Sequence, residues 1–140
     1  MKIEFTVYGN PKGLKRHRTF RLKTGQTVQV DASKADKENF LTIAMEHRPD
    51  KPLSEPIDLT VEAYYQRPKS HYGTGKKSQE LKNTAPEFFT GTPDADNVLK
   101  FIGDALSGVF WVDDRYISSA TIRRFYSDRP QVEVRIETYA

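Results

Sequence analysis

Ile57, Leu59, Val61, Ala63 and Tyr65 alternate strictly with Asp58, Thr60, Glu62 and Tyr64. A period of two over nine residues puts one apolar row on one side of an extended chain. This segment is therefore a long half-buried strand, and the rest of the chain must supply a sheet to hold it and a layer to cover it. Residues 2–8 alternate in the same way through Ile3, Phe5 and Val7 and read as a second such strand. Residues 19–22 and 26–30 are short β-prone runs joined through Lys23-Thr24-Gly25, which reads as a hairpin. Ser33 is placed to cap a helix running to about His47, with Phe40, Ile43, Ala44 and His47 at helical spacing and Pro49 and Pro52 ending it. Residues 96–107 read as a second helix and 109–112 as a short β-prone run. Residues 116–126 and 131–138 read as a terminal strand pair turning near Ser127–Pro130. The expected fold is α+β: one domain over residues 1–140, with a mixed or antiparallel sheet and two main helices.

Between Gln66 and Thr92 the chain turns polar and carries Gly73, Gly75, Lys76, Lys77 and Ser78 between Pro68 and Pro86. Loops of this length inside a compact domain are functional or disordered. The alternatives here are a DNA-contacting arm and a disordered insertion.

Composition narrows the chemistry. With 140 residues, 36% hydrophobic and 29% charged, the chain supports one modest core and a polar surface. There is no Cys, which excludes disulfides and thiolate zinc sites. The three His are scattered, so any metal must sit on oxygen ligands. No apolar run approaches the ~20 residues of a membrane span, and no basic-then-apolar leader opens the chain. The expectation is a cytoplasmic protein. The net charge is only +3, but it is unevenly placed. Lys12, Lys15, Arg16, Arg18, Arg21 and Lys23 form one run without an acid. Arg67, Lys69, Lys76, Lys77 and Lys82 form another against Glu80 alone. Between Asp94 and Asp114 the balance reverses, with five Asp and only Lys100 in opposition. Basic segments around a concentrated acidic stretch suit a polyanion binder with a cation site inside it. The competing reading of each run is plain solvated surface.

The acidic stretch has internal order. At ~3.6 residues per turn, Asp96, Lys100 and Asp104 form one stripe, while Val98, Phe101, Ile102, Ala105 and Leu106 take the opposite side. Asp94 sits at the N-terminal edge of that helix. Asp113 and Asp114 follow the apolar run Val109-Phe110-Trp111-Val112, which should anchor them beside it. Water-driven phosphodiester cleavage needs an activated nucleophile and charge stabilisation on the phosphoryl oxygens. Two Mg²⁺ ions ~3.5–4 Å apart supply both. Magnesium takes hard carboxylate oxygens and few protein ligands, which aspartates on stiff elements provide. Each residue also has a structural reading. Asp94 or Asp96 is a helix cap, Asp96–Lys100–Asp104 are ordinary ion pairs, and Asp113-Asp114 is a turn.

The pattern Pro93-Asp94-Ala95-Asp96-Asn97, then Lys100, Asp104-Ala105-Leu106, Gly108-Val109 and Asp113-Asp114, resembles the signature of the RusA family of Holliday junction resolvases. Val7-Tyr8-Gly9-Asn10-Pro11 with its following basic run, and Tyr65-Gln66-Arg67-Pro68-Lys69-Ser70-His71, resemble further segments of family members more loosely. The loop before Pro93 is longer than in compact members. The resemblance implies a homodimeric α+β nuclease, of a kind encoded largely by phages and prophages. Such enzymes nick four-way DNA junctions in symmetric pairs with Mg²⁺, for which Mn²⁺ substitutes, and use no small-molecule cofactor. It assigns Asp94, Asp96 and Asp114 as the essential carboxylates and Lys100 as the catalytic lysine, with Asp104 and Asp113 as supporting metal-shell residues. Phosphate contacts are expected from Lys12, Lys15, Arg16, Arg18, Lys69, Lys76 and Lys77, with His17 and His71 as further phosphate contacts rather than ligands. Two alternatives stand beside this: a branched-DNA-binding protein without catalysis, and a phosphatase of small substrates. The basic runs disfavour the second.

Overall fold

In the computed structural model, residues 1–139 are described. Among them a four-stranded sheet forms in the order β1 (Lys2–Tyr8), β6 (Gln131–Thr138), β4 (Ile57–Gln66), β5 (Ile117–Ser127), with a separate two-stranded hairpin. The hairpin strands are β2 Arg18–Arg21 and β3 Thr27–Val30. The helices are α1 Lys34–Ala44, continued by a 3₁₀ turn Met45–His47, and α2 Ala95–Leu106. The α+β class, the mixed sheet and the two main helices agree with the sequence.

The sheet's inner face follows from alternation. Val61 of β4 lies opposite Val134 of β6, which lies opposite Phe5 of β1; Ala63, Val132 and Val7 form the next row. All six are buried. Both helices cover this face. Phe40 of α1 meets Phe101 of α2 edge-on at 5.8 Å, and Phe5 reaches Phe40 at 6.4 Å and Phe110 at 5.5 Å. Val98, Phe101, Ile102, Ala105 and Leu106 are the buried side of α2, as their spacing requires.

The terminal strand pair is corrected. β5 and β6 do not pair with each other, because β4 lies between them, parallel to β5 and antiparallel to β6. Side-chain chemistry decides this. β6 alternates Val132, Val134 and Ile136 inward and completes the core only in a central position. β5 carries Ser118, Ser119, Thr121, Arg123 and Arg124, which suit a solvated edge strand. The parallel β4–β5 pair in turn requires a long crossover, which α2 provides.

Residues 109–112 form no strand; Phe110 and Trp111 follow α2 in a tight turn. Leu53 donates its N–H to the Phe110 carbonyl at 2.9 Å, and Val112 donates to the Leu53 carbonyl at 2.9 Å. Isolated bridges from Trp111 to Leu53 and Ser107 are too little for a ladder. Phe110 and Trp111 are fully buried, so the run anchors Asp113 and Asp114 by packing. Trp111→Ala should cost about 3–5 kcal/mol, readable as a lower denaturant midpoint; a loss under 1 kcal/mol would mean the anchor is not needed.

The long polar segment is ordered along β5. Phe89 donates its N–H to the Arg124 carbonyl at 3.1 Å, and Tyr126 donates to the Glu87 carbonyl at 2.9 Å. The Phe89 ring stacks flat on Tyr65, with centroids 3.6 Å apart. Further back, Gly73 and Lys82 donate to the carbonyls of Glu80 and His71 and close a small lobe whose exposed end carries Lys76 and Lys77. Among the described residues no helix is long and apolar enough to cross a membrane.

Candidate active site

The acidic residues divide between the two ends of α2. Asp94 is the N-cap: its Oδ1 accepts the Asn97 N–H at 3.0 Å. One turn on, Lys100 Nζ lies 3.1 Å from Asp96 Oδ2, and both side chains are largely exposed, 64% and 74%. These are the two structural roles the sequence leaves open for them, and both groups still face solvent. Asp104 lies eight residues beyond Asp96, about 12 Å along a helix axis. It approaches Lys37 of α1 at 4.0 Å.

Asp113 and Asp114 follow the buried Trp111. Asp113 Oδ1 accepts the Arg115 N–H at 2.9 Å and opens a 3₁₀ turn, Asp114–Tyr116. The two carboxyls face each other closely enough to share a proton. That contact, with burial and the charges of Asp113 and Asp104, raises the pKa of Asp114. The Arg115 N–H and the same shared contact lower that of Asp113. The structure therefore brings Asp104, Asp113 and Asp114 into one electrostatic neighbourhood, with Asp94 and Asp96 at the other end of the helix. Among the described residues no three His, Asp or Glu side chains sit close enough to enclose a cation together. The donor chemistry still fits magnesium, which keeps several waters and is held through one or two carboxylates. Asp113 and Asp114 are two adjacent oxygen donors whose mutual repulsion a cation relieves.

The basic arm is fastened to the acid-bearing helix. Asn97 Oδ1 accepts the Leu14 N–H at 3.2 Å, and its Nδ2 donates to the Leu14 carbonyl at 3.0 Å. The next residue, Lys15, donates its N–H to the Oγ of fully buried Ser33 at 2.7 Å. Gly13 passes so near that an added Cβ would lie 2.6 Å from the Pro93 side chain. Gly13 and Leu14 thus hold the start of the arm against the N-terminal end of α2, and Lys12, Lys15, Arg16 and Arg18 are exposed to solvent. Lys15 is partly engaged, its Nζ 3.4 Å from Asp36. His17 lies 4.0 Å from Asp31. Lys69, Lys76 and Lys77 are exposed on the separate lobe, and His71 packs edge-on against Tyr126 at 4.6 Å.

Sequence reasoning missed these fasteners. Asn97 and Gly13 stand out as residue types, but Leu14 and Asn97 are 83 positions apart and no local pattern links them. Arg124 was missed as well. Its guanidinium donates to the carbonyls of Gly91 at 3.0 Å and Pro93 at 2.7 Å and lies over the Phe89 ring, fixing the chain's entry into Asp94. Asn97→Ala would leave both Leu14 backbone groups without their partner. We expect a loss of about 1–3 kcal/mol and faster proteolysis between Lys12 and Lys23; cleavage at the wild-type rate would show that the clamp does not hold the arm.

An acid-bearing helix clamped to a basic arm, on a small α+β scaffold, is the arrangement that defines this class of domain. Comparison with known proteins gives that class its family. A family model described as Endodeoxyribonuclease RusA matches residues 8–137. A protein of Bacillus subtilis (strain 168), named Uncharacterized protein YqaN, is 33% identical over 136 residues, covering 96% of this chain and 94% of the relative. The chain belongs to the RusA family of endodeoxyribonucleases.

Proposed function

We propose that this protein is a structure-selective endodeoxyribonuclease that resolves four-way DNA junctions by paired, symmetric nicks with Mg²⁺, and with Mn²⁺ in its place. What supports the reading, beyond family membership, is the Asn97–Leu14 clamp. It ties the backbone of the basic arm to the helix that carries Asp94, Asp96 and Lys100.

The roles follow from chemistry. Asp114, with Asp113 and Asp104 around it, and Asp94 with Asp96 are the carboxylates that would hold divalent ions. Bound there, such an ion would polarise a phosphoryl oxygen and acidify a water. Lys100 carries three donors on a largely exposed ammonium, placed to neutralise a phosphate next to Asp96. The arm from Lys12 to Arg18, with Lys69, Lys76 and Lys77, positions the backbone without reading sequence. Paired nicks need two active centres, so the working form is a two-fold homodimer.

A branched-DNA binder without catalysis is the second reading. The N-cap role of Asp94 and the Asp96–Lys100 pair favour it. One experiment separates the two: a labelled four-way junction, a linear duplex and a phosphomonoester are each incubated with the protein, with and without Mg²⁺. Cutting of the junction alone, and only with the ion, is expected. Binding without cutting would select the passive reading, and phosphomonoester hydrolysis would point to a small-substrate enzyme.

A further inference from the structure

The hairpin β2–β3 is the least explained part of the molecule. All eight of its strand residues are exposed. Phe20 lies opposite Val28, and Arg18 opposite Val30. Alternation therefore gathers Phe20, Leu22, Val28 and Val30 on one face, with Arg18 at its edge, and leaves Thr19, Arg21, Thr27 and Gln29 on the other. The four apolar side chains are 49%, 45%, 37% and 43% exposed, and none belongs to the hydrophobic core. A lone two-stranded ribbon is marginally stable in water. One with a bare apolar face needs something to cover it.

The charge around that face says what covers it. From Lys12 to Val30 there are six Lys or Arg and no acidic residue. Two copies meeting hairpin to hairpin would set like charges against like. A polyanion neutralises them. A closed duplex would satisfy the cations but offers the apolar face only phosphates and sugars. A branch point adds the missing partner, the unstacked π-faces of bases, on which aromatic side chains stack. The position also fits. Leu14 is tied to Asn97, and six residues of extended chain reach at most about 22 Å from it to Phe20. At ~3.4 Å per nucleotide that is roughly six nucleotides, so Phe20 and a phosphate at the N-terminal end of α2 fall within one short length of strand.

We propose that the β2–β3 hairpin is the branch-point reader of this protein, with Phe20 stacking on an unpaired base while Arg18, Arg21 and Lys23 hold the flanking phosphates. The inference rests on the junction-directed reading given above and adds the element that tells a junction from a duplex.

The test is binding in EDTA, where nothing is cut. It uses four-way junctions carrying 2-aminopurine at the branch or within one arm, and a linear duplex of equal length. For Phe20→Ala the expected result is a loss of about tenfold in junction affinity, with duplex affinity unchanged within about twofold. The fluorescence change at the branch is lost and that within the arm is not. Phe20→Trp restores both affinity and signal. Circular dichroism confirms that each variant is folded, and light scattering gives its oligomeric state. Equal loss on junction and duplex, no loss on either, or dissociation of a dimer by Phe20→Ala overturns the proposal; the last would make the hairpin an interface between copies. If the wild type prefers junctions and Phe20→Ala matches it, the hairpin reading alone fails. If the wild type itself shows no preference for the junction, the junction-directed reading fails with it.

Discussion

Asp96→Asn is expected to stop junction cutting and leave junction binding intact or tighter. The two outcomes separate because of where the side chain stands. It is 74% exposed, and its ion-pair partner is Lys100. An exposed i,i+4 pair contributes only about 0.2–0.5 kcal/mol, so the fold survives the change. Removing a carboxylate beside the docked backbone lowers repulsion toward phosphate, which favours binding. Cutting loses a preorganised charge, a change that lowers turnover about 10²–10³-fold or more. Single-turnover cleavage and a gel-shift titration of the same preparation read both quantities. Parallel loss of cutting and binding would make Asp96 a structural residue, and unchanged cutting would reduce it to the ion pair.

Replacing Lys15, Arg16 and Arg18 together by Gln should flatten the salt dependence of junction binding. Each phosphate contact contributes about 0.9 to the slope of log affinity against log salt, so three contacts amount to at most about 2.7. Between 50 and 200 mM salt, a difference of that size is roughly 40-fold in affinity. Lys15 is expected to supply the smallest share, since its ammonium already lies 3.4 Å from Asp36. The three side chains are exposed on an arm whose backbone is held elsewhere, by Asn97 and Ser33, so the substitution leaves the arm in place. A slope equal to that of the wild type would remove these residues from the DNA interface.

The elements that follow from local period were legible in the chain. β1, β4, β6 and α2 come within a residue or two of their expected bounds, because each writes its buried face into its own spacing; the hairpin does so through its turn residues, and α1 ends at Ala44 with a 3₁₀ turn carrying the chain on to His47. Pairing was less legible. A short turn near Ser127–Pro130 suggests a hairpin, and only the contrast between polar β5 and apolar β6 indicates that β4 intervenes. The apolar run at Val109–Val112 lacks a partner strand, a fact no local window contains. In the site, every acidic residue and Lys100 was visible as chemistry. Their division between the two ends of α2 was not, because the anchoring run is legible but the end of the helix to which it returns is not. The clamp between Asn97 and Leu14 joins chain segments 83 positions apart and becomes visible only once the chain is folded.

Crystals soaked in Mn²⁺ and measured for its anomalous signal put the least inference between observation and claim. The expected map carries manganese on a carboxylate oxygen of Asp114, with a further site at Asp94 or Asp96, and the Asp114 peak disappears in crystals of Asp114→Asn. A map with no manganese at any of Asp94, Asp96, Asp104, Asp113 or Asp114 would contradict the account.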